Sequence, residues 1–307
     1  MGTMENRSSM RIQYLSKVLV NGGDDLMKIG VHMSMFCRKW EDEVTPYLEP
    51  LKAAGYDGVE ISLYGANNEA LKKVGKVLKE LELEVSCGVG ITPETDISSK
   101  VPAVRENGIL FLKECIDKTA EMGSKCLNGV LCSPWREFSH GNTRRERWKR
   151  SADSMKIIGE YAGQYGIDLN VEVLNRFESD FINTLDEGTS FLKMVDAPNV
   201  RLLADTFHMN IEEDDIVSAV ERNINNIGYI HCCENHRGVP GTGHILWNRF
   251  FRVLRNNDYD GWLTLESFVL SQNEVGNTLS IWRDMGEDPL VEAVKGFNYL
   301  DSLRNNR

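Results

Sequence analysis

The strongest constraint on the fold of this chain is a three-part pattern that repeats eight times from Met27 onward. Each repeat has a short apolar or β-branched run, a polar turn and an amphipathic segment of helix length. The runs are MKIGVHMS (27–34), YDGVEIS (56–62), LEVSCGVG (83–90), CLNGVLCS (126–133), IDLNVEVLN (167–175), NVRLLADTF (199–207), IGYIHCCEN (227–235) and GWLTLESF (261–268). Eight α/β units with mostly continuous apolar strands predict a closed parallel (β/α)8 barrel, the TIM-barrel fold; an open doubly wound sheet is the alternative.

The repeats predict a single domain over residues 27–307, since no Ser/Gly-rich or low-complexity linker interrupts them. Residues 1–26 carry three methionines and a Gly-Gly-Asp-Asp breaker, and we interpret them as an N-terminal extension outside the fold. The stretches 133–150 and 269–289 are longer than simple turns. They are predicted to form helical or loop insertions around the barrel mouth.

Composition and charge exclude several classes of protein. The formal net charge of −11 opposes attraction to phosphate backbones, so we expect no nucleic-acid partner. No stretch reaches the 18 or so consecutive apolar residues of a membrane span. The seven cysteines contain no C-x-x-C pair and are odd in number, which predicts reduced thiols and a cytoplasmic location.

Four side chains that can ligate a metal lie near the ends of the last four predicted strands, one βα unit apart. In a (β/α)8 barrel the carboxyl ends of the strands build the active site, so all four are expected to converge there. Three carboxylates and one imidazole favour a hard divalent cation, with Mn2+ first and Co2+ or Mg2+ as alternatives. We call them the metal quartet: Glu172, Asp205, His231 and Glu266.

Three further polar residues follow quartet members closely in sequence: Glu178, His208 and Arg237. We call them the polar trio. Together they would surround a polyol with donors and acceptors, although Glu178 could instead pair with Arg176 or Arg237 in a purely structural role. Trp40 and Trp135 follow the first and fourth strands and are either walls of a sugar pocket or ordinary core residues.

Long segments of the chain resemble the D-tagatose 3-epimerase family, which includes the D-allulose (D-psicose) 3-epimerases. The segments are VEVLNRFE at 171–178, LLADTFHMNIEED at 202–214, VPGTG at 239–243 and WRD at 282–284. The resemblance covers essentially Met27 to the C-terminus. It implies a metal-dependent isomerase that reversibly epimerises free ketohexoses at C3 through a cis-enediolate, interconverting D-fructose with D-allulose and D-tagatose with D-sorbose.

The resemblance also assigns roles to the residues. It implies that the metal quartet holds the metal, that Glu172 and Glu266 also act as two bases on opposite faces of C3, and that the polar trio binds the O1 to O3 end of the sugar. Trp135, Trp40, Gly88, His32 and Phe268 are taken as further substrate contacts. Relatives form homodimers or homotetramers, so the same is expected here.

Two departures from the family pattern lie near the O4 to O6 end of the sugar. His32 stands in GVHMS where relatives carry Tyr, and the segment after the fourth strand reads CSPWREFSH, which keeps only Trp135 of the usual pattern. The preferred ketose is therefore left open by the sequence.

Three other functions are compatible with such a barrel. An aldose-ketose isomerase would move the proton between C1 and C2, and a non-catalytic barrel would bind sugar without turnover. A nuclease of the endonuclease IV kind is disfavoured, because it needs more histidine ligands and a basic face.

Overall fold

The computed structural model describes residues 27–139 and 143–306, and its eight parallel strands form a closed barrel in chain order. The strands are β1 Lys28–His32, β2 Gly58–Ser62, β3 Glu84–Gly88, β4 Cys126–Gly129, β5 Asp168–Glu172, β6 Val200–Asp205, β7 Ile227–Cys232 and β8 Trp262–Leu265. Strand β8 closes the barrel by pairing with β1 from Lys28↔Trp262 to Val31↔Leu265. The predicted single-domain TIM barrel is confirmed, and the open doubly wound sheet is wrong.

Helices follow the strands and cover the outside of the barrel. Within the described ranges they are α1 Thr45–Ala54, α2 Asn68–Glu80, α3 Pro102–Glu121, α4 Arg144–Gly163, α5 Leu185–Val195, α6 Thr206–Glu212, α7 Ile216–Asn223, α8 Trp247–Asn256, α9 Glu274–Thr278 and α10 Pro289–Arg304, with 3-10 turns at Met33–Phe36, Pro93–Thr95 and Ile224–Asn226.

Helix α2 shows how the local sequence produces these elements. The side chain of Asn67 accepts a hydrogen bond from the backbone N–H of Ala70, which caps the helix. Leu71, Val74 and Leu78 recur at helical spacing and are the residues that α2 buries. The amphipathic pattern therefore fixes which face of the helix packs on the barrel.

The interior of the barrel is polar at the level just below the mouth. The hydroxyls of Ser86 and Tyr229 lie 2.7 Å apart across the barrel, and Tyr229 reaches Thr264 at 2.6 Å. On the other side, Asn170 donates to Asn128 at 2.8 Å. Our interpretation of the strands as mostly continuous apolar runs is thus wrong for these inward positions.

The predicted insertion 133–150 is wrong in its second part, because residues 144–150 begin the barrel helix α4. Its first part and the stretch 269–289 do contribute residues to the mouth, among them Trp135 and Glu274. Residues 133–139 contact the loop after β5, where Asp180 accepts hydrogen bonds from the backbone N–H and the hydroxyl of Ser139. The second stretch contains the short helix α9. The predicted extension 1–26 lies outside the described residues.

None of the helices in 27–139 and 143–306 combines the length and apolar character that a membrane crossing requires. All seven cysteines lie in these ranges as free thiols, and six of them are buried.

Candidate active site and metal centre

The four members of the metal quartet meet at the carboxyl ends of β5 to β8. Glu172 and Asp205 are the last residues of β5 and β6, His231 is the last but one of β7, and Glu266 directly follows β8. One potential ligand atom from each lies within 4.8 Å of those from the other three. The structure therefore brings together all four side chains that the strand spacing placed at one point.

The donor atoms of the quartet fit a divalent cation. The buried Nδ1 of His231 makes no hydrogen bond within the described part of the chain, and an oxygen of Glu266 lies 3.5 Å from it. Three carboxylates this close repel one another unless positive charge lies between them. Oxygen donors with one imidazole suit Mn2+, Co2+ or Mg2+, and the set does not choose among them.

Arg237 supplies fixed positive charge at one side of the quartet. Its Nη1 donates to Asp205 Oδ2 at 2.9 Å and to Glu266 Oε2 at 2.7 Å, and its guanidinium stacks over Phe207 at 4.1 Å and lies 5.5 Å from the Phe268 ring. The buried Phe268 thus supports Arg237 as well as lining the cavity. Arg237 has a positive φ of 67°, so the backbone bends sharply where the loop after β7 turns it inward.

The charges of the site raise the pKa values of His231 and His208. Burial opposes the charged form of His231, but Glu266 and Glu60 outweigh burial and raise its pKa to about 10. The pKa of His208 is also raised, because Asp205 and Glu172 overcome the cost of burial. Both shifts show that carboxylates dominate the site and favour positive charge within it.

The polar trio is connected by hydrogen bonds that the sequence did not reveal. Trp135 Nε1 donates to Glu178 Oε2 at 2.7 Å, and Asn175 Nδ2 bonds Glu178 Oε1 at 3.1 Å. The same amide lies 2.7 Å from His208 Nδ1. The expected alternative partner of Glu178, Arg176, instead forms an ion pair with Glu212.

These bonds fix how the trio faces the quartet. Burial opposes charge on Glu178, but the positive charges of His208 and Arg237 lower its pKa. His208 Nε2 lies 3.5 Å from both Glu172 Oε1 and Asp205 Oδ2. Glu178 is therefore held as a carboxylate, with His208 beside the metal quartet.

A cavity of about 540 Å³ opens above the quartet at the barrel mouth. Eleven of the twelve predicted site residues line it, and the exception, Asp205, is fully buried. The predicted substrate contacts in this lining are Trp40, Trp135, Gly88, His32 and Phe268. The cavity has the size and the mixed polar and aromatic lining of a small-molecule site.

Sequence reasoning missed Glu60 and Asn175. Glu60 lies in the apolar strand β2, is 1% exposed, and contacts His231 Nε2 at 2.9 Å. The sequence contained one sign of Glu60: a single carboxylate stands inside the apolar run GVEIS, and a carboxylate is costly to bury without a partner. Asn175 lies within the segment VEVLNRFE, but nothing in its spacing indicated that it joins Glu178 to His208.

Comparison with known proteins supplies an independent view of the chain. Residues 48–290 match the family model described as xylose isomerase-like TIM barrel. The chain is 32% identical over 263 residues to a D-psicose 3-epimerase of Agrobacterium fabrum, covering 84% of this chain and 91% of that protein. It is 35% identical over 249 residues to an L-ribulose 3-epimerase of a Methylomonas species, covering 80% and 87%.

A solved structure agrees with these relatives. The D-psicose 3-epimerase of Clostridium cellulolyticum H10 with D-tagatose superposes with a TM-score of 0.86 at 30% identity, covering 91% of this chain and all of that one. The similarity therefore spans the whole barrel.

Proposed function

The chain belongs to the ketose 3-epimerases of the xylose isomerase-like TIM-barrel family, and from that membership we propose that it reversibly epimerises free ketohexoses at C3. The proposed pairs are D-fructose with D-allulose and D-tagatose with D-sorbose, through a cis-enediolate. The observation that carries the proposal is the convergence of Glu172 and Glu266 with two further metal-ligating side chains beneath a sugar-sized cavity.

Inversion at C3 needs a proton removed from one face of the carbon and another delivered to the opposite face. Glu172 lies at the end of β5 and Glu266 after β8, three strands farther round the barrel. The two carboxylates thus approach the cavity from different sides. We assign each of them as the base for one face.

The metal quartet would hold the cation, for which we propose Mn2+, with Co2+ or Mg2+ as alternatives. A divalent cation bound there would supply Lewis-acid stabilisation of the negative charge that develops when C3 loses its proton. Arg237 adds a fixed positive charge on the same side, through its bonds to Asp205 and Glu266.

The polar trio would orient the O1 to O3 end of the ketose so that C3 lies between the two glutamates. The carboxylate of Glu178 would accept hydrogen bonds from the sugar hydroxyls, and the guanidinium of Arg237 would donate hydrogen bonds to the sugar oxygens. Trp135 donates its N–H to Glu178, so it holds that carboxylate in place besides presenting a ring to the cavity. Loss of the Trp135 contact would therefore loosen sugar positioning without touching the bases.

The proposal is tested by an activity panel. D-Fructose, D-tagatose, D-allulose, D-sorbose and L-ribulose are incubated with the full-length protein and Mn2+ or Co2+, and products are separated by chromatography. We expect the C3 epimer of at least one ketose. Aldose products would favour the isomerase, and ketose binding without any product would favour a non-catalytic barrel.

Replacing His32 by Phe should change the preference among ketoses while C3 remains the reacting carbon. His32 Nδ1 accepts a hydrogen bond from the Ser34 N–H at 3.3 Å, which leaves the Nε2–H as the donor of the ring, and the ring lines the cavity. Losing one donor to a sugar hydroxyl costs about 1 kcal/mol, so kcat/KM for the preferred ketose should fall roughly 5- to 10-fold.

The measurement is kcat/KM for each ketose in the panel. His244→Phe makes the same change at an exposed histidine whose Nε2 bonds Asn210, and should leave the ranking unchanged. An identical ranking in the His32 variant would contradict a role for this residue in sugar recognition.

We also propose a cytoplasmic homodimer or homotetramer. The free cysteines support a reducing compartment. Phe177 and Trp282, which are 70% and 71% exposed, follow β5 and β8 on the mouth side and are suited to a subunit interface. Sedimentation analysis of the full chain distinguishes the oligomers from a monomer.

A further inference from the structure

Glu60 is a buried carboxylate that the proposed reaction does not use. It is the third residue of β2 and points into the barrel with 1% exposure. Its Oε2 lies 2.9 Å from His231 Nε2, and its Oε1 accepts a hydrogen bond from Asn128 Nδ2 at 3.1 Å. Both oxygens are therefore engaged by side chains from β7 and β4, which lie across the barrel from β2, so the carboxylate has a fixed orientation.

The contact with Glu60 determines which nitrogen of His231 faces the metal quartet. A neutral imidazole carries its proton on one nitrogen and offers a lone pair on the other. His231 must be neutral to ligate a cation, and in the neutral ring a proton on Nε2 donated to Glu60 leaves the lone pair on Nδ1. This nitrogen is buried, makes no hydrogen bond in the described residues, and lies 3.5 Å from Glu266 Oε2 in the quartet.

We propose that Glu60 is a positioning residue for the metal site, which holds the ring of His231 so that Nδ1 is the ligand atom. This inference rests on the proposed function, because it requires that the quartet bind a cation. It adds a residue that acts on the cation through His231, as carboxylates behind ligating histidines do in other metal sites.

The residues around Glu60 restrict the position of its side chain. Asn128 accepts a hydrogen bond from Asn170 Nδ2 at 2.8 Å, so a chain of side chains joins β2, β4 and β5 beneath the mouth. A Cβ at Gly88 would lie 2.8 Å from Glu60 Oε1. Gly88, predicted as a substrate contact, therefore also leaves the room that Glu60 needs.

A purely structural role makes a different prediction. If Glu60 only compensated the buried His231, its loss would lower the stability of the metal-free protein and leave cation affinity unchanged. A positioning role requires that cation affinity itself fall. Second-layer partners of ligating histidines typically contribute 10- to 100-fold to metal affinity, so a loss of about that size is expected.

The test is calorimetric titration of Mn2+ into chelator-treated, full-length Glu60→Gln protein, compared with the wild type. Gln keeps the size of the side chain but loses its charge, so the Kd for Mn2+ should rise about 10- to 100-fold. Ser86→Ala is the matched control, because Ser86 pairs with Glu60 in the barrel register and bonds Tyr229 instead of His231. Its Kd should equal that of the wild type.

The outcomes separate the two proposals. If the wild type binds no Mn2+, both the metal site and this role of Glu60 are overturned. If the wild type binds Mn2+ and Glu60→Gln binds it equally well, only the role of Glu60 is overturned.

A second measurement on the wild type does not depend on the folding of Glu60→Gln. In ¹H–¹⁵N spectra of the wild type with diamagnetic Mg2+, assigned by difference from His231→Asn, His231 should keep its proton on Nε2 while Mg2+ shifts the Nδ1 resonance. A proton on Nδ1 with the cation on Nε2 would contradict the proposal.

Discussion

Replacing Glu266 by Gln is expected to lower the kcat of ketose epimerisation by about 1,000-fold, because an amide cannot accept the C3 proton. Gln retains an oxygen that can face the cation and accept from Arg237, which donates to Glu266 at 2.7 Å. Ketose binding should therefore be largely preserved. The measurements are kcat and KM for D-fructose at saturating Mn2+, with calorimetric titration of the ketose into the variant.

Exchange with solvent sharpens this prediction, since two bases on opposite faces imply one base for each epimer. Glu172→Gln and Glu266→Gln should each exchange the C3 proton of only one member of an epimer pair in D2O. The two variants should show opposite preferences. Exchange of both epimers by a single variant would contradict the assignment of one glutamate to each face.

Glu84→Gln is the control, because it makes the same Glu-to-Gln change, with the same loss of one negative charge, outside the site. Glu84 begins β3 at the opposite end of the barrel and bonds Lys28 at 2.6 Å. Its substitution should leave kcat at the wild-type value. Wild-type kcat in Glu266→Gln as well would overturn the proposed mechanism.

Removing the cation with a chelator should abolish turnover and lower the melting temperature. A cation present at 100 times its Kd stabilises the native state by about 2.7 kcal/mol. At roughly 2–4 °C per kcal/mol for a chain of this size, the melting temperature should fall by about 5–10 °C. Scanning calorimetry with and without chelator measures the shift, and adding back Mn2+ should restore activity and stability together.

Asp205→Asn tests whether the chelator acts by removing the cation from the quartet. Asp205 is the fully buried member of the quartet, and weakening this ligand should remove most of the chelator-induced shift in melting temperature. Full activity of the chelator-treated wild type, with an unchanged melting temperature, would contradict a metal-dependent reaction.

The position of the metal quartet could be predicted from the sequence because it follows from the geometry of the barrel. Once the βα repeat is recognised, the carboxyl ends of β5 to β8 must meet at one rim, so Glu172, Asp205, His231 and Glu266 must approach one another. The repeat itself is visible because helices such as α2 bury residues at regular spacing. The predictions of the barrel fold and of the convergence of the quartet thus both depend on the periodicity of the sequence.

Contacts across the barrel carry no such periodic signal. Glu60 and His231 are far apart in sequence, and their strands β2 and β7 are not neighbours in the barrel. Likewise, the bond from Trp135 to Glu178 depends on how the loop after β4 folds back, which no local pattern determines. The polar barrel interior was missed for a related reason. Ser86, Asn128 and Asn170 are visible in the strand sequences, but no local pattern shows which partner an inward polar side chain meets across the barrel.

The position of deuterium in the product distinguishes a ketose 3-epimerase from an aldose-ketose isomerase. D-Fructose is incubated with the full-length protein and Mn2+ in D2O, and the recovered sugars are analysed by NMR. A ketose 3-epimerase that removes and returns the C3 proton should yield D-allulose labelled at C3, with C1 unlabelled. Label at C1 with none at C3 would contradict this account and indicate an aldose-ketose isomerase.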